Sequence, residues 1–156
     1  MRMVLAVAVI ALVIFYFFNQ MNNQKAAKEN IEKGNQFLAE NAKREEVVQT
    51  LSGLQYEVLS KGENTEHPSA KSSVTVHYHG TLIDGTVFDS SVERGQTISF
   101  GLNQVIPGWT EGLQLMSVGD KFRFYIPSQL AYGNRSTGKI QGGSVLIFDV
   151  ELFEIN

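Results

Sequence analysis

The 156-residue chain has no cysteine, which excludes disulfides, thiol nucleophiles and thiolate-bound zinc. The absence leaves the compartment open, because a cysteine-free domain tolerates oxidising and reducing surroundings alike. A basic excess is also missing. The formal net charge is −3, where a nucleic-acid-binding face would need clustered lysine and arginine, so no nucleic-acid partner is expected. No serine sits in a G-x-S-x-G elbow, and the chain has no internal repeat. Tryptophan occurs once, at Trp109, in the stretch VIPGWTEGL (105–113), directly after a Pro-Gly pair that marks a turn or a helix start.

Hydrophobicity is unevenly distributed. Residues 3–18 (MVLAVAVIALVIFYFF) are apolar without interruption. As a helix they span about 24 Å at ~1.5 Å per residue, a little less than the hydrocarbon core of a bilayer. A signal peptide has an apolar core of this length too, with a small-x-small cleavage site close behind it. Here Ala26 and Ala27 come late and behind Lys25, while Phe15 to Phe18 close the segment as aromatics do at a membrane interface. Residues 1–20 are therefore read as an uncleaved membrane anchor in preference to a cleaved leader. NQMNNQ (19–24) reads as a polar hinge, and the proline-free stretch from Lys25 to about Thr50 as a linker helix. Its apolar stripe (Ala27, Ile31, Leu38) is thin, so it is expected to be a spacer or a weak homodimer contact, outside the core. Gly34 should weaken it by about 1 kcal/mol.

After residue 51 the texture changes to alternation punctuated by turn residues. Leu54–Ser60, Ser73–His79, Gln96–Phe100, Lys121–Ile126 and Ser144–Ile155 read as strands, and Ile83-Asp84-Gly85-Thr86 as a hairpin signal. In KFRFYI, Phe122, Phe124 and Ile126 point inward. Pro107–Met116 reads as a short helix with Trp109, Leu113 and Met116 on one face. The folded body is thus residues 52–156, of α+β class: an antiparallel sheet with one short helix packed on it.

Two constellations imitate known chemistry. His77 and His79 lie two apart on one strand and share a face, a spacing that can hold zinc. The bland reading, a wet strand face alternating with Val74, Val76 and Tyr78, is preferred, and no metal is assigned. GNRSTGKI (133–140) fits G-x-x-x-x-G-K, but Ile140 stands where the magnesium-binding hydroxyl belongs, and a strand follows where a helix is required. No cofactor is assigned. Asp120 and Glu111 read as turn and helix-surface charges, and no carboxylate pair marks general acid–base chemistry. Arg94 lies close enough to Asp89 to hold it ionised and oriented by an ion pair.

Aromatic and β-branched residues at loop–strand junctions remain: Tyr78, Phe88, Val105, Ile106, Trp109, Tyr132 and Phe148. Singly, each reads as ordinary core. Together, the stretches VHYHGTLIDGTVFDSS (76–91), VIPGWTEGLQLMSVGDK (105–121), IPSQLAYG (126–133) and VLIFDVELFEI (145–155) resemble the FKBP-type peptidyl-prolyl cis-trans isomerases, in order and spacing. Residues 31–59 resemble the linker helix and first strand of the Mip-like bacterial envelope branch. The resemblance implies a five- or six-stranded antiparallel sheet curled around a short helix, preceded by the anchor and linker helices. It also implies prolyl isomerase activity, or the same pocket used for non-catalytic proline-segment binding as a chaperone or adaptor module. Proline-containing polypeptides and immunophilin-type macrolides are the implied ligands. Asp89 and Tyr132 are the implied catalytic positions. Tyr78, Phe88, Val105, Ile106, Trp109, Ile140 and Phe148 are the implied substrate-binding ones, with Trp109 as the pocket floor. Ile98 stands where relatives usually carry an aromatic, and KIQGG replaces an Ile-Pro-Pro loop tip. The branch implies a single-pass inner-membrane protein with the isomerase domain on the periplasmic side.

Overall fold

Helix α1 runs unbroken from Arg2 to Asn41 in the computed structural model, which describes residues 2–156. Met1, the first residue of the expected anchor, lies outside the described residues. The expected hinge at 19–24 is helical. Asparagine and glutamine cost a helix only a few tenths of a kcal/mol each, and a helix already nucleated on both sides propagates through them. Leu5–Asn41 is the one stretch among the described residues long and apolar enough to cross a membrane, and Leu5 to Met21 expose their apolar side chains.

The second half of α1 corrects the spacer reading. Ala27, Gly34, Leu38 and Asn41 are buried against the folded body. A β-carbon at Gly34 would lie 2.8 Å from Val145 Cγ2, so the residue that weakens the helix is the one that lets it approach the sheet. Leu38 packs with Tyr125 and Val145, and Asn41 Nδ2 donates to Gln55 Oε1 at 2.8 Å. The helix stops at Asn41. The residues expected as its last turns form a turn and a two-residue strand, β1 (Val48–Gln49).

The remaining elements are β2 (Gln55–Ser60), β3 (Ser73–Thr81), β4 (Val87–Ser90), α2 (Ser91–Arg94), β5 (Ile98–Gly101), α3 (Pro107–Leu113), β6 (Lys121–Ile126) and β7 (Leu146–Ile155). The strands form one antiparallel sheet in the order β1-β2-β6-β7-β3-β4, with β5 also paired to β3. The α+β class with one short helix on the sheet is therefore what the chain adopts. The strand count reaches seven because β1 adds to the edge beside β2 and because Val87–Ser90, read only as the sequel to a hairpin, pairs with β3.

The core lies between α3 and one sheet face. Phe122, Phe124 and Ile126 point into it as their alternation requires, with Val74, Val76, Val150 and Leu152 from neighbouring strands. Leu113 and Met116 close it from the helix side. Pro107 opens α3 at a position where a missing N–H costs nothing. The helix sits close because Gly112 faces the ring of Phe124, and a β-carbon there would lie 2.7 Å from Phe124 Cε1. Phe124 is wholly buried and has nowhere to go. Gly112→Ala is expected to lower stability by about 1–3 kcal/mol, the usual cost of overpacking, despite alanine's better helix propensity. A urea midpoint at or above wild type would contradict this close packing.

Candidate functional site

Helix α3, one face of strands β3, β4, β5 and β7, and the loop before β7 border an open hollow of about 660 Å³. Tyr78, Phe88, Asp89, Val105, Ile106, Trp109, Tyr132, Ile140 and Phe148 all line it, so the structure brings together every site residue named from the sequence. Trp109 is buried at its base by the first turn of α3. Its ring meets Tyr78 edge-on at 5.3 Å and Phe148 edge-on at 5.1 Å between centroids, and Phe100 lies tilted at 5.3 Å. Phe88 stands edge-on to Phe148 at 5.3 Å. These are the arrangements in which the positive edge of one ring meets the negative face of the next, and they hold the walls rigid.

One polar cluster interrupts the aromatic wall. Asp89, on β4, accepts hydrogen bonds from Tyr78 Oη and Arg94 Nη1, and Arg94 Nη2 donates to Tyr78 Oη at 3.2 Å. The turn of α2 makes this possible. Ser90 caps it by accepting from the Glu93 N–H, Gly95 ends it in the left-handed region at φ 68°, and Arg94 in between folds back on Asp89. Partial burial pushes the Asp89 carboxyl up, but the Tyr78 and Arg94 hydrogen bonds outweigh it and leave it below the ordinary carboxylate value. Burial, and then the bond to Asp89, raise the Tyr78 hydroxyl. Asp89 is thus a fixed anion at the rim whose two oxygens are already engaged.

The rest of the site is open. Tyr132 is 42 % exposed. Ile106 precedes α3, and its N–H meets no acceptor among the described residues, while its carbonyl accepts from Trp109 N and Thr110 N. Ile140 is buried at the end of a tight turn, Thr137–Ile140, whose end residues exchange backbone hydrogen bonds at 2.8 and 2.9 Å. This turn is the stretch that imitates a phosphate loop, and it leads into β7 with no helix behind it. His77 and His79 place Nδ1 at 2.8 Å from Ser91 Oγ and 2.9 Å from Ser90 Oγ. The described residues contain no group of three histidine, aspartate or glutamate side chains able to hold a metal.

Sequence reasoning did not place Phe100 and Gln104 in the lining, nor Thr137 to Lys139. Phe100 was within reach of it: Ile98 and Phe100 are two apart on β5, so they share a face, and both line the hollow. A second hollow of about 590 Å³ lies on the opposite sheet face, beside Phe37, Arg44, Arg123, Tyr125 and Asp149. Its charges are matched to one another. Arg123 forks onto Asp149 at 2.6 and 2.9 Å, and Arg44 Nη2 reaches Glu57 at 2.7 Å. It presents no engaged aromatic wall of the kind that surrounds Trp109.

The comparisons with known proteins agree with this geometry. A family model described as FKBP-type peptidyl-prolyl cis-trans isomerase matches residues 64–153, and one described as the domain amino terminal to it matches residues 8–58. The chain is 56 % identical over 140 residues to the FKBP-type peptidyl-prolyl cis-trans isomerase FkpA of Aeromonas hydrophila, covering 88 % of this chain and 52 % of that protein. It is 46 % identical over 132 residues to the outer membrane protein MIP of Legionella longbeachae, covering 84 % and 56 %. The crystal structure of FkpA from Escherichia coli superposes with a TM-score of 0.84 at 40 % identity, covering 94 % of this chain and 71 % of that one. The chain spans about half the length of the curated relatives it matches. With the family model covering most of the chain and the aromatic hollow in place, the chain belongs to the FKBP-type peptidyl-prolyl cis-trans isomerase family, on its Mip/FkpA branch.

Proposed function

We propose that the protein accelerates cis–trans rotation about Xaa-Pro bonds in proline-containing polypeptides, and that the hollow over Trp109 is where it does so. The observation that carries this reading is the aromatic hollow floored by Trp109, with a single fixed anion at its rim. The Xaa-Pro amide resists rotation by about 18–20 kcal/mol, because resonance gives its C–N bond double-bond character. At a quarter turn the resonance is broken, and the carbonyl carries less negative charge and needs less water. A dry cage therefore holds the twisted amide better than the planar one, and catalysis is differential binding with no bond made or broken. A millionfold gain corresponds to about 8 kcal/mol. In this reading the Ile106 N–H and the Tyr132 hydroxyl donate to the peptide, fixing it in a turn that can twist. Asp89 sets the local field and orients Tyr78; it transfers no proton. Tyr78, Phe88, Val105, Trp109, Ile140 and Phe148 form the walls that exclude water. The same hollow is the candidate receptor for immunophilin-type macrolides.

The reading extends to the whole chain. Residues 1–20 anchor the protein, residues 21–51 link, and residues 52–156 form the isomerase domain. The anchor crosses the inner membrane once, with the domain on the periplasmic side. Protease added to intact spheroplasts should therefore degrade the domain, and a shielded domain would place it in the cytoplasm. The exposed face of α1 is the candidate surface for a weak homodimer.

The direct test is a proline-switch assay on a short Xaa-Pro peptide. Wild type should raise the exchange rate well above the blank. Tyr132→Phe, which removes one donor, should lower kcat/KM about fivefold, the worth of ~1 kcal/mol. Asp89→Ala, which also frees Tyr78 and Arg94, should lower it by roughly tenfold or more, ~1.4 kcal/mol. Peptide binding without turnover would instead identify a non-catalytic chaperone or adaptor module.

A further inference from the structure

The loop that roofs the hollow does not stand on the isomerase domain alone. After Ile140 the chain turns down along α1, and three contacts fasten it there. Asn30 Nδ2 donates to the Gly142 carbonyl at 3.0 Å and to Gln141 Oε1 at 3.3 Å. A β-carbon at Gly143 would lie 2.2 Å from the Ala27 carbonyl oxygen, so the two backbones touch. One at Gly142 would lie 2.2 Å from the Asn134 carbonyl oxygen and 3.3 Å from Ala27 Cβ. Ala27 is almost wholly buried by this contact. On the loop's other side, Gly142 N donates to Ser136 Oγ at 3.1 Å and Gly143 N to the Gly133 carbonyl at 2.7 Å. The Gln141–Gly143 strap is thus clamped between α1 and the first half of its own loop. Ile140, one residue before the strap, lines the hollow together with Thr137 to Lys139.

We propose that Asn30 is a positioning residue for the pocket. Through Gly142 it fixes the height of the roof and so the place of Ile140 above a bound peptide. The inference rests on the isomerase reading for the meaning of that pocket. Of the three contacts, the Asn30 carboxamide is the one made by a side chain alone, so it can be removed without disturbing either backbone. Its effect falls on substrate held under the roof, while Trp109 and Asp89 stay where they are.

The test uses the full chain in detergent. Asn30→Ala is expected to raise KM for a short Xaa-Pro peptide about fivefold, equivalent to ~1 kcal/mol, with kcat near wild type. Asn30→Asp, equal in shape but without the donor, should behave in the same way, and Asn30→Gln should recover part of the loss. Amide exchange in residues 137–143 should quicken in the alanine and aspartate variants, while α3 and β6 keep wild-type protection. An active wild type whose Asn30→Ala variant has unchanged KM and unchanged exchange in the loop overturns the positioning role. An equal effect of Asn30→Ala on kcat and on global unfolding overturns it too, since that is what a merely structural contact would give. A wild type without turnover overturns the isomerase reading instead. The same variants are then read by peptide affinity from Trp109 fluorescence, where an unchanged Kd overturns the positioning role.

Discussion

Trp109→Ala should lose about 3–5 kcal/mol of stability and most of the activity. The stability loss is that of emptying a buried large aromatic site whose surroundings cannot collapse. Tyr78, Phe100 and Phe148 each meet the indole at 5.1–5.3 Å, and each belongs to a different strand of the sheet, so none can move in without leaving its own register. Part of the loss comes from those ring pairs, about 0.5–1.5 kcal/mol each beyond the buried area. The activity loss follows from water entering the base of the hollow. On the proposed mechanism a twisted amide is favoured there only while the floor is dry, so kcat/KM is expected to fall at least about tenfold, ~1.4 kcal/mol of transition-state stabilisation. Trp109→Phe keeps a ring on the floor and should fall between the two. Circular dichroism follows unfolding in both variants, since the only tryptophan is gone. An alanine variant that folds and turns over like wild type would remove the aromatic floor from the mechanism.

Asp120→Ala should rank next, at about 2–4 kcal/mol of stability with little direct effect on the hollow. The Asp120 side chain is fully buried, and its carboxylate accepts from Ser117 N at 2.9 Å, Gly62 N at 2.8 Å and Lys61 Nζ at 2.7 Å. It ties the loop after β2 to the turn between α3 and β6. Alanine leaves the Ser117 and Gly62 donors without an acceptor, and each orphaned group costs about 1–3 kcal/mol. The Lys61 contribution is small, because its ammonium is mostly in water. Burial pushes the Asp120 carboxyl up, but the Lys61, Gly62 and Ser117 donors outweigh it and hold it below the ordinary carboxylate value. A lowered folded-state value means that the stabilisation is present above the unfolded value near ~4. It is lost as the pH falls through the folded one. Urea melts taken from about pH 7 down to about pH 2 should show wild type losing stability over that acid window, and Asp120→Ala losing less of it. Parallel curves for the two proteins would detach Asp120 from the acid limb.

The reading of Asp120 as a turn charge shows where sequence reasoning stops. A carboxylate between glycine and lysine in SVGDK looks solvated, and nothing local reveals that Gly62, far away in the chain, comes to cover it. The strands were legible for the opposite reason. KFRFYI carries its own period, and Phe122, Phe124 and Ile126 land inside as that period requires. Tyr125, between them, is buried too, because α1 covers the other sheet face. That covering was hidden, since beside Leu38 it is made by Ala27, Gly34 and Asn41, residues too small or too polar to widen a thin apolar stripe into a packed face. The hollow itself was legible through family resemblance, which drew Tyr132, Ile140 and Phe148 to Trp109 across long stretches of chain. Periodicity gave only Trp109, Leu113 and Met116 on one helix face. Phe100 and Gln104 escaped because nothing local on β5 or in the turn after it says which face meets α3.

The unbroken course of α1 has a mechanical consequence. Once residues 3–18 lie in a bilayer, about 14 Å of stiff rod separates Phe18 from the first clamped residue, Ala27, at ~1.5 Å per residue. A flexible leash of equal length would let the domain sweep a hemisphere. On the proposed reading, a mast would hold it at one altitude, so that polypeptides would meet its mouth within a thin layer above the lipid. Each residue added or deleted between Asn19 and Gln24 would swing that mouth by about 100° around the mast while barely changing its altitude.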